Sequence, residues 1–210
     1  HFDDISFGQS SKARPSKPLR PCVINVRRKR HYLVGSIHLI TGGVKSGKSS
    51  YALQLASEFA GESPVRFVAT ARRGVGDDSL DRRIDRHIAE RPDHWTLFEP
   101  PTGLLESITA SGEEVMAVLD CITLWIGDLV SEPDYTSATG TSHHVARLIE
   151  ALQASELPTL VITNEVGSGV APPTVVGNEF ADELGMANRQ IADAAEQVTL
   201  LVAGQPLRIK

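Results

Sequence analysis

Short apolar runs alternate with amphipathic segments along the chain from Ser36 onward, and this alternation predicts its elements. Runs rich in Val, Ile and Leu are typical of strands buried on both faces of a parallel sheet. We predict strands at Ile37–Thr41, Val65–Thr70, Val115–Asp120, Thr159–Thr163, Val198–Ala203 and Leu207–Ile209. Apolar residues at helical spacing predict helices around Ala52–Phe59, Leu80–Ile88, Val145–Leu152 and Phe180–Ala195. The expected fold is therefore an α/β domain with a mostly parallel central sheet and helices on both faces.

The first 36 residues do not share this pattern. They are rich in Ser, Pro, Lys and Arg and carry a net charge of +6, whereas the other 174 residues carry −11. We therefore predict two parts. Residues 1–36 form a basic leader or linker, extended or partly disordered, with a short strand at Tyr32–Val34. Residues 37–210 form one folded domain.

Composition narrows the functional classes. Hydrophobic residues make up 41% and charged residues 22% of the chain, a balance typical of globular proteins. No run approaches the roughly 18 apolar residues that a membrane helix needs, so we expect no membrane insertion. The two cysteines, Cys22 and Cys121, cannot build a disulfide framework, which favours a cytoplasmic protein. The acidic domain is a poor match for nucleic acid, although the basic run Arg27–Arg30 leaves a nucleic-acid or membrane-surface contact open for the leader.

The most specific motif follows the first predicted strand. Residues 42–49 fit the pattern GxxxxGK[ST] of a phosphate-binding loop, or P-loop. Its glycines let backbone N–H groups wrap around a polyphosphate, and the N-terminus of the following helix adds partial positive charge. We expect Lys48 to reach the β- and γ-phosphates and the Ser49 hydroxyl to ligate Mg²⁺. The predicted nucleoside triphosphate site consists of Gly42, Gly43, Val44, Lys45, Ser46, Gly47, Lys48 and Ser49.

An acidic residue lies at the end of another predicted strand. The apolar run Val115–Leu119 ends in Asp120, where a P-loop protein places the acidic residue of its magnesium site. We therefore predict that Asp120 and Ser49 hold Mg²⁺. The alternative is an aspartate that caps the turn after the strand.

The segment from Arg82 to Pro92 carries a histidine among arginines. Arg83, His87 and Arg91 are spaced four residues apart and lie in one line on a helix. A neutral imidazole can attack an α-phosphate while neighbouring guanidinium groups stabilise charge on the transferring group. Spacing alone does not separate this role from that of an exposed histidine on a charged helix.

Five blocks in the same order resemble one family, the bifunctional adenosylcobinamide kinase / adenosylcobinamide-phosphate guanylyltransferase of cobalamin biosynthesis. The resemblance covers nearly all of residues 37–210. The blocks are the P-loop with its strand; Val68-Ala69-Thr70; Arg83-Ile84, His87 and Arg91-Pro92, followed by His94-Trp95 and Glu99-Pro100; Asp120-Cys121-Ile122-Thr123-Leu124-Trp125; and Thr163-Asn164-Glu165-Val166-Gly167 with Phe180, Asp182, Gly185 and Asn188.

This resemblance implies a RecA-like P-loop NTPase fold, a homotrimer and two reactions. In the first, ATP or GTP phosphorylates adenosylcobinamide. In the second, GTP guanylylates the histidine that matches His87, and the GMP then passes to adenosylcobinamide phosphate. Lys48 and His87 are the catalytic residues that it implies. Beyond the P-loop, the implied nucleotide contacts are Thr70, Ala71, Arg72, Ile88, Ala89, Glu90 and Arg91, to which we add Glu99 and Asp120.

The chain departs from the family's pattern at a few positions. Lys45 stands where the family commonly has Arg, and residues 169–173 replace its usual G-I-V-P. Ala181 replaces an arginine, and Arg189 stands where the family usually has Gln. If the missing arginine holds phosphate or a neighbouring subunit, one activity is weakened, unless Arg189 takes its place in space.

Three other interpretations stay open at this point. The first is a P-loop kinase without guanylyl transfer, which the intact segment around His87 argues against. The second is a non-catalytic GTP-binding regulator, which would form no histidine–GMP adduct. The third is a DNA-dependent RecA-like motor, which the acidic balance of residues 37–210 argues against.

Overall fold

The computed structural model describes residues 32–72, 78–99, 103–136, 138 and 140–210. The strands of this part of the chain are β1 (Ile37–Gly42), β2 (Arg66–Ala69), β3 (Thr96–Phe98), β4 (Ala117–Asp120), β5 (Thr159–Ile162), β6 (Gln197–Val202) and β7 (Gln205–Arg208). Its helices are α1 (Lys48–Ala60), α2 (Asp78–Ala89), α3 (Leu104–Thr109), α4 (Ile122–Val130), α5 (Ser142–Ala154) and α6 (Val175–Ala194). Within these ranges no helix has the length and apolar character required to span a bilayer.

One sheet organises these elements, with the strand order β3-β2-β4-β5-β1-β6-β7. Neighbouring strands are parallel except for β6 and β7, which form an antiparallel hairpin. The central strand β1 lies between β5 and β6, and its Ile40 is opposite Ile162 and Thr199. β5 in turn separates β1 from β4, the strand that ends in Asp120.

Helices cover both faces of the sheet because successive side chains of a strand point to opposite sides. On one face, Leu39, Leu119 and Val161 belong to a buried cluster to which α3, α4, α5 and α6 also contribute. On the other face, α1 packs on β1, β4 and β5. The buried residues of α1 include Tyr51, Ala52, Leu55 and Ala56.

The structure confirms the predicted elements in outline and corrects one of them. All strands predicted from Ile37 onward are present, and the predicted helices are α1, α2, α5 and α6. β3, α3 and α4 were not predicted. The strand predicted at Tyr32–Val34 is wrong, because Ser36 N donates to Leu33 O at 3.0 Å and closes a turn instead. Tyr32 packs its ring against His38 and Phe59, with centroid distances of 6.0 and 5.4 Å.

A buried arginine fastens β2 to the end of α3. Arg66 is 1% exposed, and its Nη1 donates to the carbonyl oxygens of Ser107, Ile108 and Ala110 at 3.1, 3.2 and 2.7 Å. Its Nη2 donates to the Glu114 carboxylate at 2.8 Å. A cation at the C-terminal end of a helix satisfies carbonyls that have no partner within the helix and complements its dipole.

Candidate active site

The carboxyl ends of β1, β2, β4 and β5 meet at one edge of the sheet, and a cavity of about 520 Å³ opens there. Loops converge on a ligand at this edge of a parallel sheet. The cavity walls come from the loop between β1 and α1, the first turn of α1, helix α2 with the residues after it, and the strand ends. The site is therefore assembled from segments far apart in the sequence.

The loop from Gly42 to Gly47 turns tightly because two of its glycines adopt conformations that other residues avoid. Gly42 has a φ of 151°, and a Cβ atom there would lie 2.5 Å from the carbonyl oxygen of Leu201. Gly47 has a φ of 97° and leads into α1, whose first turn receives no cap from any described side chain. The first N–H groups of α1 are therefore open to an anion.

The hairpin of β6 and β7 contacts the P-loop through its turn. Gly204 N donates to Ser46 O at 3.0 Å, and the Gly204 Cα lies 3.5 Å from where a Cβ of Gly47 would be. Ala203 and Gly204 both have positive φ, 49° and 77°, as a two-residue type I′ turn requires. The turn between β6 and β7 is therefore joined to the P-loop by a backbone hydrogen bond.

Lys48 places a positive charge at the cavity, near the negative charge of Asp120. Its Nζ donates to the carbonyl oxygen of Gly43 at 2.7 Å. Burial lowers the pKa of Lys48, and the nearby Cys121 and Asp120 partly offset this by favouring the charged form. A cation and a carboxylate side by side suit a polyphosphate that carries its own metal ion.

Arg91 supplies a second cation. Its guanidinium lies over the Phe67 ring, with Cζ 4.3 Å from the ring centroid. Burial lowers the pKa of Arg91, against the opposing effects of Glu99 and Asp120. Its Nη1 is buried, and no hydrogen-bond acceptor for it lies within the described part of the chain. A buried guanidinium N–H without an acceptor is costly, and an anionic ligand in this cavity would satisfy it.

Thr70 and Cys121 hold the ends of β2 and β4 together. Thr70 Oγ1 donates to the carbonyl oxygen of Cys121 at 2.7 Å and accepts from its backbone N–H at 2.9 Å. The peptide bond between Asp120 and Cys121 is cis. Burial, followed by the charge of Asp120, raises the pKa of Cys121 to about 12, so its thiol is neutral and is not a nucleophile at neutral pH.

Most of the predicted site residues border this one cavity. They are Val44, Lys45, Ser46, Gly47, Lys48, Ser49, Ala71, Ile88, Glu90, Arg91 and Asp120. Gly42 and Gly43 begin the loop without bordering the cavity, although Gly43 accepts the hydrogen bond from Lys48. Their nucleotide contacts, and those of the residues that border the cavity, stay predictions.

The remaining predicted residues are not among the described residues that border the cavity. They are Thr70, Arg72, Ala89, Glu99 and His87. Arg72 forms an exposed ion pair with Asp128, with 3.1 Å between Nε and Oδ2. The side chain of His87 lies outside the described part of the structure, but its backbone belongs to α2, between two residues that border the cavity. The nucleotide roles of these residues also stay predictions.

The departures on α6 can be placed as well. Ala181 and Arg189 are eight residues apart on this helix. Their positions are therefore separated by about 12 Å along the helix axis. Arg189 is exposed, and its substitution for the arginine missing at position 181 stays a prediction.

Eight residues that border the cavity were not predicted from the sequence. They are Ser50, Phe67, Ala69, Ile84, Cys121, Leu124, Ile162 and Asn164. Most are small or apolar wall positions without a chemical signal of their own. Asn164 is different, because a polar side chain directly after a buried parallel strand is the same signal that pointed to Asp120.

The fold and this site define a P-loop NTPase of the RecA-like class. The P-loop follows the central strand β1, Asp120 ends β4, and β5 lies between these two strands. Among solved structures, the flagellar accessory protein FlaH from Methanocaldococcus jannaschii is 13% identical with a TM-score of 0.49, covering 85% of this chain and 80% of that one. The strand order, rather than this distant likeness, carries the assignment.

Within that class, the chain belongs to the cobinamide kinase / cobinamide phosphate guanyltransferase family, whose model matches residues 38–209. Its relatives include the bifunctional adenosylcobalamin biosynthesis protein CobP of Pseudomonas aeruginosa, 37% identical over 82% of this chain and 96% of the relative. The bifunctional adenosylcobalamin biosynthesis protein CobU of Escherichia coli is 33% identical over 82% of this chain and 98% of the relative. The expected family is thereby confirmed, and the chain is an enzyme of that family.

Proposed function

We propose that this chain catalyses two transfers at the cavity described above. In the first, ATP or GTP phosphorylates adenosylcobinamide. In the second, GMP passes from GTP through His87 to adenosylcobinamide phosphate and gives adenosylcobinamide-GDP. The position of α2 carries the proposal: Ile84 and Ile88 of this helix border the same cavity as Lys48, so the helix that bears His87 lies beside the P-loop.

The second transfer follows from chemistry that these residues can perform. An imidazole nitrogen of His87 attacks the α-phosphorus of GTP, the bond to the pyrophosphate breaks, and pyrophosphate leaves with the electron pair. A phosphate oxygen of the acceptor then attacks the same phosphorus and frees the histidine. Lys48 and Arg91 stabilise the charge on the transferring group and on the leaving pyrophosphate.

We propose that Ser49 and Asp120 hold Mg²⁺ at this site. Both residues border one cavity, and a hydroxyl and a carboxylate are hard oxygen donors that fit this ion. No group of three or more His, Cys, Asp or Glu suited to a metal occurs among the described residues, which fits an ion held by one or two protein groups, waters and substrate phosphates. When bound, Mg²⁺ neutralises phosphate charge.

The test is incubation with Mg²⁺ and GTP labelled at the α-phosphate, for the wild type, His87→Ala and His94→Ala. His94 is exposed and does not border the cavity, so it is the matched control. We expect an adduct, stable in base and labile in acid, on the wild type and His94→Ala only. The label should pass to adenosylcobinamide phosphate. An adduct on His87→Ala contradicts the proposal, and phosphorylation of adenosylcobinamide without any adduct reduces the chain to a kinase.

We also propose a homotrimer that acts in the cytoplasm on small molecules rather than nucleic acid. Val170, Val175 and Val176 are 98%, 74% and 61% exposed. Apolar exposure concentrated in one segment is typical of a protein–protein contact. Light scattering on the purified chain should give three times the monomer mass, and a monomer at micromolar concentration contradicts the trimer.

A further inference from the structure

Asn164 lies beside the P-loop at the edge of the sheet where the cavity opens. It follows β5, the strand between β1, which carries the P-loop, and β4, which ends in Asp120. Thr163 N donates to Ile40 O at 3.0 Å and Glu165 N donates to Gly42 O at 3.1 Å, so Asn164 is level with the start of the P-loop. It borders the cavity together with Lys48, Ser49 and Asp120.

The backbone of Asn164 is held by side chains from two helices. Its N–H donates to Thr123 Oγ1 of α4 at 2.9 Å, and its carbonyl oxygen accepts from Asn188 Nδ2 of α6 at 2.9 Å. Asn188 Oδ1 accepts in turn from the Thr163 hydroxyl at 2.7 Å. Thr123 and Asn188 are 9% and 8% exposed.

Buried polar side chains are costly unless they are hydrogen-bonded, and each of these two uses one of its hydrogen bonds on the Asn164 backbone. Both polar groups of the Asn164 backbone are therefore engaged, which holds the point from which its side chain starts at the cavity wall. A functional side chain on a rigid element, supported by a second layer of hydrogen bonds, is built in this way.

We propose that Asn164 is a substrate-contacting residue of the phosphoryl transfer, whose carboxamide NH₂ donates to the γ-phosphoryl group of the bound nucleoside triphosphate. Thr123 and Asn188 are positioning residues that hold it there. The inference rests on the proposed function and adds a residue to its first reaction. A carboxamide donates without adding charge to a cavity that already holds Lys48 and Arg91.

The proposed contact between Asn164 and the γ-phosphoryl group stabilises the transition state of phosphoryl transfer more than that of guanylyl transfer. In phosphoryl transfer the bond between the γ-phosphorus and the β–γ bridging oxygen breaks, and the hydroxyl oxygen of the acceptor bonds to that phosphorus. The nucleoside diphosphate leaves with the electron pair, and the hydroxyl proton is released to solvent. In guanylyl transfer the reacting atom is the α-phosphorus, and the γ-phosphate leaves unchanged within pyrophosphate. A group aimed at the γ-phosphate therefore stabilises the first transition state and contributes little to the second.

The binding test compares affinity for a non-hydrolysable GTP analogue with affinity for GDP, in Asn164→Asp, Asn164→Ala and the control Gln190→Glu. Gln190 bonds Ser142 on the surface and makes the same amide-to-carboxylate change away from the cavity. We expect Asn164→Asp to lose about ten-fold or more of the preference for the triphosphate, because its carboxylate repels the γ-phosphate. GDP affinity and thermal stability stay as in the wild type. An unchanged preference in both Asn164 variants overturns the proposal.

The kinetic test separates the two transfers. Asn164→Ala should lower kcat of adenosylcobinamide phosphorylation by about 100-fold, the effect of removing one preorganised donor from a transition state. At saturating GTP, labelling by α-labelled GTP should change by less than about three-fold, since that transition state does not use the donor. Equal losses in both reactions overturn the proposal. If the wild type itself does not phosphorylate adenosylcobinamide, the proposed function fails, and the ratio of binding affinities still decides the role of Asn164.

The positioning role is tested by Thr123→Val against Thr123→Ser. Serine keeps the hydroxyl that accepts from Asn164 N, whereas valine leaves that N–H buried without an acceptor. We expect wild-type preference for the triphosphate in Thr123→Ser and a reduced preference in Thr123→Val. A loss of thermal stability in Thr123→Val without any change in this preference would mean that Thr123 is merely structural.

Discussion

Cys121 borders the cavity beside the P-loop, yet its surroundings keep the thiol neutral. Burial is the main cause, the negative charge of Asp120 adds to it, and the pKa of Cys121 rises from 9.0 to about 12. The thiolate is the reactive form of cysteine, so this residue forms part of the wall and not of the chemistry. A cysteine next to an aspartate in the sequence does not reveal this, because the shift depends on packing.

We expect the Cys121 thiol to resist alkylation in the folded protein. In a Cys22→Ser background, iodoacetamide should react at pH 8 about ten-fold or more slowly in buffer than in denaturant. The unfolded thiol ionises above pH 9.0 and the folded one only near 12, so this group makes the free energy of unfolding fall as the pH rises between these values. Cys121→Ser should remove a fall of at most about 1.4 kcal/mol per pH unit. Equal labelling rates with and without denaturant contradict the prediction.

The P-loop offers a matched pair of glycines. Gly42→Ala should lower the free energy of unfolding by about 1–3 kcal/mol, because its φ is unfavourable for alanine and its Cβ would approach a backbone oxygen of β6. Gly43→Ala is the control, since a Cβ there meets nothing within 4 Å. Denaturant unfolding without nucleotide measures both. Equal stability of the two variants would show that Gly42 is required only for the approach of a ligand.

At the scale of elements, the sequence predicted the segments whose own pattern decides their structure. Strands such as β5 are continuous apolar runs, and α1, α5 and α6 have an apolar stripe. The missed segments depend on tertiary contacts. β3 has three residues, of which Thr96 and Leu97 are exposed, and α3 has six. α4 reads Ile-Thr-Leu-Trp-Ile-Gly-Asp-Leu-Val, too apolar to show a polar face.

The candidate active site also combines features decided by local sequence with features that depend on tertiary contacts. The P-loop was predictable because its backbone conformation and its ligand both demand particular residues at fixed spacing. The contact of Arg91 with Phe67 and the bonds between Thr70 and Cys121 were not predictable, since only the sheet brings these residues together. The spacing of residues along the sequence predicts local geometry, but it does not predict which distant residues become neighbours in the fold.

Arg66 and Arg72 allow buried and exposed ion pairs to be compared. Arg66→Met should lower the free energy of unfolding by about 3–5 kcal/mol, because Glu114 and three carbonyls at the end of α3 lose their shared donor. Arg72→Ala breaks a pair whose side chains are 54% and 39% exposed and should cost less than about 1 kcal/mol. Chemical denaturation measures both. An equal loss of unfolding free energy in the two variants contradicts the role of Arg66 in joining β2 to the end of α3.

At the scale of the whole molecule, residues 31–210 form one compact unit. The sequence predicted a domain from residue 37, because the alternating pattern begins there. Residues 32–36 already contact the fold, through the Tyr32 hydroxyl at 3.0 Å from His38 Nδ1 and through Gly35 beside the carbonyl of Gln153. The hydrophobic pattern of the sequence does not show such contacts. The domain boundary at residue 37 stays a prediction.

Two truncations test that boundary. A chain of residues 31–210 should keep the thermal stability and the GTP affinity of the full chain. A chain of residues 37–210 loses the aromatic contacts and the hydrogen bond of Tyr32, and its free energy of unfolding should be lower by about 1–3 kcal/mol. Thermal denaturation of both chains measures the difference. Equal stability of the two would place the boundary where the sequence pattern put it.

The hydrogen bond from Gly204 to Ser46 joins the tip of a hairpin to the interior of the P-loop. Hairpin tips are ordinarily where insertions and labels are tolerated without consequence. Here a fluorophore attached beside Gly204 would lie one backbone hydrogen bond away from the P-loop. We therefore expect its emission to change when a ligand binds at the P-loop, so that the labelled protein would serve as a sensor of its own ligand.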